Sequence, residues 1–174
     1  MAYPQVLINR AEIARTVNAL AARIQADYEG RDPVLIGALK GCFIFMSDLV
    51  RALNMPLSVD FLGVASYGGG TQSSGEVRLL HDFKGPIQGR HVLVVEDIVD
   101  TGLTLSFIIE HVRRKGPASI KVCALLDKPS RRSVPVTIDY LGFTVPNKFI
   151  VGYGLDFNEH YRNLPDICVL EDGA

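Results

Sequence analysis

Apolar positions along the chain follow two rhythms. From Asn9 onward, Ile13, Val17, Leu20, Ala21 and Ile24 recur at three- and four-residue spacing, which predicts an amphipathic helix reaching to Gly30, with Asn9 as its cap and Glu12 closing a capping box. Val34-Leu35-Ile36-Gly37-Ala38-Leu39 is instead a continuous apolar run after Pro33, the pattern of a strand buried on both faces. A second helical stretch runs from Cys42 to Leu53. Strands follow at Leu57 to Ala65, Val77 to Phe83 and His91 to Val95, then a helix from Leu103 to Lys115 and a strand from Ile120 to Leu126. Pro129, Pro135 and Pro146 divide the remainder into short strands and turns. Strands alternating with helices predict an α/β fold around a parallel sheet, joined by right-handed crossovers.

Between Ala65 and Val77 the pattern lapses. Ser66-Tyr67-Gly68-Gly69-Gly70-Thr71-Gln72-Ser73-Ser74-Gly75 holds no packing residue except Tyr67. Loops of this length without apolar content are either tolerated hairpin connections or lids and binding loops, and a lid is the expectation.

Composition narrows the classes. A chain of 174 residues suits one domain, expected over residues 1–174. No apolar run approaches the roughly 20 residues of a membrane span, and Met1-Ala2-Tyr3-Pro4-Gln5 lacks the marks of a secretory signal, so a cytoplasmic protein without membrane partners is expected. Cys42, Cys123 and Cys168 lie in or beside apolar runs and read as buried thiols, not as a disulfide framework or zinc site. A net charge of -1 gives no general attraction for nucleic acid, so an anionic ligand must be held locally.

The stretch best suited to that task is Val94-Val95-Glu96-Asp97-Ile98-Val99-Asp100-Thr101-Gly102-Leu103-Thr104. It places three carboxylates at the carboxyl end of a strand, where open α/β sheets bind ligands. On extended backbone Glu96 and Asp97 point to opposite sides. The turn Asp100-Thr101-Gly102-Leu103-Thr104 then presents backbone N–H groups and hydroxyls at a helix start, where dipoles favour phosphate, and Gly102 removes a side chain where a phosphate oxygen would crowd the backbone. A receiver-like α/β domain could also cluster acids at strand ends, and a plain solvent-facing turn stays open.

This stretch resembles the phosphoribosyl pyrophosphate signature of type I phosphoribosyltransferases, and the resemblance extends from Pro33 to about Glu171 and narrows to the hypoxanthine-guanine branch. The resemblance implies a central mostly parallel sheet flanked by helices, a small hood subdomain and a flexible lid. Leu39-Lys40-Gly41 looks like the pyrophosphate loop, in which a sometimes cis peptide frees backbone N–H groups. Ser66 and Tyr67 would belong to the catalytic lid, excluding water from the reacting ribose. Lys128 matches the lysine that contacts the purine 6-oxo group, and Phe149 and Ile150 match the residues that stack on the base and read its edge. Asp156 would join Glu96 and Asp97 in handling magnesium, and Arg162 would clamp pyrophosphate with its planar fork.

The activity so implied is transfer of the phosphoribosyl group to hypoxanthine or guanine, with Mg2+ as cofactor and Asp100 as proton partner at purine N7. The family's habit implies a homodimer or homotetramer, and Phe43, Ile44, Phe45 and Met46 are candidates for its interface or for core. His81, His91, His111 and His160 have no metal-like spacing. Two other readings stay open: a relative with another base choice, which Lys128 argues against for adenine because an ammonium accepts no hydrogen bond, and a regulatory nucleotide- and RNA-binding protein on the same fold.

Overall fold

Asn9 opens the first helix as its side-chain chemistry dictates. In the computed structural model, which describes residues 4–66 and 76–170, the Asn9 side chain accepts from the Ala11 and Glu12 amides and Glu12 accepts from the Asn9 amide, each at 3.0 Å. The closed capping box starts α1 (Arg10–Asp27), whose buried stripe is Ile13, Val17, Leu20, Ala21 and Ile24. The chain then forms β2 (Val34–Leu39), α2 (Phe43–Ala52), β3 (Ser58–Ser66), β4 (Val77–His81), β5 (His91–Val99), α3 (Leu103–Arg113), β6 (Ser119–Asp127), β7 (Tyr140–Thr144), β8 (Phe149–Val151) and β9 (Ile167–Leu170), with β1 (Gln5–Ile8) preceding α1.

Six strands make the main sheet in the order β4-β3-β2-β5-β6-β7. All neighbours are parallel except β4, which runs antiparallel to β3. The strand pleat divides the apolar runs between two cores. Leu35, Leu93, Val95, Cys123 and Leu125 join the stripe of α1 and Phe45, Met46 and Leu49 of α2. Val34, Ile36, Val92, Val94, Val122 and Ala124 join Leu105, Ile108 and Val112 of α3. Continuous apolar runs are therefore what a sheet covered on both faces requires, each fully buried aliphatic side chain contributing about 1.5–3 kcal/mol.

The small sheet β1-β9-β8 is antiparallel and forms the hood. Ile8, Ile150, Tyr153, Leu155 and Ile167 seat it on the same core as α1 and α2. No helix among the described residues is long and apolar enough to cross a membrane. Two points depart from the sequence reading, and a third divides residues it had left open between core and interface. β1 was not anticipated, because a four-residue edge strand with a single buried position carries no period-two signal. β5 continues through the acids to Val99, where it still pairs with Asp127 of β6. The apolar set after Gly41 splits, Phe45 and Met46 going to the core and Phe43 remaining 43% exposed.

Candidate active site

The strand order reverses between β2 and β5, and their pairing runs from Val34↔Val92 to Gly37↔Val95. Beyond that register a cleft of about 210 Å³ is lined by Ala38, Leu39, Gly41 and Val64 on one side and by residues 96–102, Thr104 and Leu105 on the other. This is the carboxyl-end crevice at a topological switch point, where open α/β sheets bind ligands. The Leu39-Lys40 peptide is cis.

Two glycines are explained by close approach. A Cβ on Gly41 would lie 1.7 Å from Asp97 Oδ2, and a Cβ on Gly154 would lie 2.3 Å from the Gly41 carbonyl oxygen. The hood segment, the loop after β2 and the acidic end of β5 thus meet with no room for side chains. The hood segment is sharply turned: Tyr153, Asn158, Glu159 and Tyr161 all have positive φ, a conformation that non-glycine residues keep only where surrounding contacts impose it.

At the far end of the cleft, α3 begins at Gly102 without a side-chain cap and with no acid in its first turn. Thr101 Oγ1 accepts from the Leu103 amide at 3.3 Å. A helix start whose N-cap residue has no side chain, beside two threonines, favours an anion by its dipole and its remaining amides. Gly102 has φ +87, and its absent Cβ would come within 2.9 Å of the Val134 carbonyl oxygen. The protein's own backbone therefore requires this glycine, a reason the sequence reading did not contain.

Glu96 is buried, and burial together with the adjoining Asp97 raises its pKa well above the ordinary carboxylate range. Burial likewise pushes Asp97 up to about 6, against the Ile98 amide bond and nearby Arg162, which favour its charged form, while Asp156 adds to the rise. Asp97 Oδ1 accepts from the Ile98 amide at 2.8 Å. Asp100 is engaged by Arg131 Nε at 3.2 Å. Lys128 is buried, donates from Nζ to the Lys148 carbonyl at 2.9 Å, and burial lowers its pKa. Phe149 exposes a face at the edge of the hood and meets Phe157 edge-on at 5.2 Å; the buried neighbour Ile150 pairs with Val169.

Arg162 closes the hood side. Its Nη1 donates to the Gly154 carbonyl at 2.8 Å, its Nη2 lies 3.0 Å from Asp156 Oδ1 and 3.5 Å from Glu159 Oε2, and its Nε is buried without a hydrogen-bond partner. Lys40 Nζ reaches the same Glu159 carboxylate at 3.0 Å. The structure thus brings Lys40, Gly41, Asp97, Asp156 and Arg162 together at one end, places Asp100 to Thr104 at the other, and sets Glu96 in the lining of the cleft. Tyr67 and Gly68 to Gly75 lie outside the described residues, and of Ser66 only the backbone, ending β3, is described. Among the described residues no three of His, Cys, Asp and Glu gather as a metal-ligand group. Sequence reasoning missed Arg131, Arg132 and Glu159, although two successive arginines three residues after a strand-end lysine were a visible signal.

Fold and cleft define a doubly wound α/β protein that sets carboxylates and an uncapped helix start around one crevice, under an antiparallel hood. The chain belongs to the phosphoribosyltransferase family: the phosphoribosyl transferase domain matches residues 5–158. It is 47% identical over 167 residues to the hypoxanthine-guanine phosphoribosyltransferase of Bacillus subtilis, covering 96% of this chain and 93% of that one. It is 46% identical to the bifunctional protein TilS/HprT of Listeria innocua, of whose length it spans only 26%. The crystal structure of a hypoxanthine-guanine phosphoribosyltransferase from Bacillus anthracis superposes with a TM-score of 0.93 at 44% identity, over 98% of this chain and all of that one.

Proposed function

We propose that the protein transfers the 5-phosphoribosyl group from phosphoribosyl pyrophosphate to hypoxanthine or guanine, giving IMP or GMP and pyrophosphate. The observation that carries this reading is the cleft at the β2–β5 switch point, with a carboxylate pair at its centre and the uncapped start of α3 at its end. The ribose 5-phosphate fits the Asp100–Thr104 turn, the ribose hydroxyls fit Glu96 and Asp97, and the pyrophosphate fits the Lys40-Gly41 backbone and the Arg162 fork, whose buried Nε is a donor in want of an acceptor. The purine takes the remaining side, its 6-oxo group on Lys128, its face on Phe149 and its edge on the Ile150 backbone.

In the reaction, purine N9 attacks the anomeric carbon, the bond from that carbon to the pyrophosphate oxygen breaks, and the proton at N7 passes to Asp100. Arg162 and the Lys40 and Gly41 amides stabilise the departing charge by position alone. Ser66 and Tyr67 of the lid exclude water. Glu96, Asp97 and Asp156 would offer the hard oxygen donors that Mg2+ prefers. When bound, magnesium offsets the pyrophosphate charge. The reading includes one domain over residues 1–174, a cytoplasmic location and a homodimer or homotetramer, for which exposed Phe43 beside the pyrophosphate loop is the supporting feature.

The test is nucleotide formation from phosphoribosyl pyrophosphate and Mg2+ with hypoxanthine, guanine, xanthine and adenine offered separately. IMP and GMP are the expected products. Ligand binding with no turnover on any base would overturn the enzyme reading.

A further inference from the structure

Behind the cleft, the turn bearing Asp100, Thr101 and Gly102 is tied to the segment that follows β6. Three successive carbonyls are engaged from that one side. Val99 O accepts from the Lys128 amide at 2.9 Å, Asp100 O from Arg132 Nε at 3.1 Å, and Thr101 O from the Ser133 and Val134 amides at 2.9 and 3.3 Å. In a planar trans peptide the carbonyl and the N–H that follows it point in opposite directions. Fixing these carbonyls against residues 128–134 therefore aims the amides of Asp100, Thr101 and Gly102 away from that segment, toward the crevice these residues line.

The middle tie alone depends on a side chain for its donor. Arg132 makes it while its Nη2 binds the Asp127 carboxylate, with side-chain exposures of 20% and 14%. Asp127 ends β6 and pairs with Val99, so the guanidinium spans from the rigid sheet to the turn. Its Cδ also lies 3.0 Å from where a Gly102 Cβ would stand. The neighbouring Arg131–Asp100 pair is different: both side chains are about two-fifths exposed, and such a pair is largely screened.

We propose that Arg132 is a positioning residue for the phosphoribosyl side of the reaction: it holds the Asp100–Gly102 amides in line with the 5-phosphate. This rests on the transferase reading above. Lys128, on the purine side, is held independently by its own amide to Val99 and by its Nζ to the Lys148 carbonyl at 2.9 Å.

Arg132→Lys tests it, since a lysine keeps the charge beside Asp127 but has one tip in place of two donors in a fixed plane. The expected result is about a tenfold rise, or about 1.4 kcal/mol, in the KM for phosphoribosyl pyrophosphate and in the calorimetric Kd for IMP. The KM for hypoxanthine at saturating phosphoribosyl pyrophosphate should stay within about twofold, with the variant still folded at the assay temperature. Asp127→Asn, which keeps an acceptor for Arg132, should shift the same two constants by less. Unchanged constants, or equal rises for both substrates, would overturn the positioning role while leaving a working wild-type enzyme. A wild-type protein that makes no nucleotide would overturn both readings.

Discussion

Asp97→Asn should make the protein more stable and less active. Burial lifts the Asp97 carboxyl from its ordinary 3.8 to about 6, and with 1.36 kcal/mol for each tenfold change in proton affinity this is worth about 3 kcal/mol at most. The sign follows from proton counting. Between about pH 4 and pH 6 the native state holds a proton on Asp97 that the unfolded chain has released, so the stability linked to this group is complete below pH 4 and is lost as pH rises through 6. The raised pKa of Glu96 acts in the same direction. An asparagine keeps the acceptor for the Ile98 amide and removes the charge. At pH 7 the variant should therefore gain about 1–3 kcal/mol, or about 2–4 °C in Tm for each kcal/mol gained, and the gain should shrink toward pH 4. Urea unfolding of both proteins at pH 4.5, 6 and 7.5 measures the difference directly. A variant no more stable than wild type at pH 7.5, or a gain independent of pH, would refute the claim that this carboxylate is held at a cost in stability. Turnover should fall, because in the proposed reaction the same charge would face the reacting ribose and the metal.

Asp100→Asn should lower kcat by about 10²–10⁴-fold with little change in the KM for the base, as steady-state kinetics on hypoxanthine would reveal; equal losses in both would argue against proton transfer. Phe149→Ala should raise the KM for hypoxanthine and guanine about tenfold and leave the KM for phosphoribosyl pyrophosphate unchanged, because only the base loses a stacking face. Gly102→Ala should destabilise the fold by about 1–2 kcal/mol in urea unfolding, since φ +87 disfavours a side chain and the Val134 carbonyl blocks it.

The main sheet and its covering helices were legible because their cause is local. The stripe of α1, its capping box and the run Val34–Leu39 each state their own structure within a few residues. The hood was not legible in that way. β1 pairs with β9 across more than 150 residues of chain, between strands of four residues each, and no period in either segment points to the other. The same distinction divides the site. The acids and the Thr-Gly turn are contiguous, so their chemistry could be reasoned from Glu96 to Thr104 alone. Gly41 and Gly154 could not, since what each avoids, the Asp97 carboxylate and the Gly41 carbonyl, is set by tertiary approach.

Charge follows the same logic. The near-neutral net charge gave no sign of a polyanion partner, and the structure supplies the reason: cations at the cleft are matched by carboxylates beside them. Lys40 faces Glu159, Arg131 faces Asp100, Arg132 faces Asp127 and Arg162 faces Asp156. Paired in this way, the basic groups add little long-range field, which salt would screen beyond about 10 Å in any case. Selectivity for the phosphorylated sugar of the proposed reaction would then come from directional donors at short range. A helix start whose amides are aimed by fixed carbonyls behind it is such a set of donors, and a uniform basic patch is not.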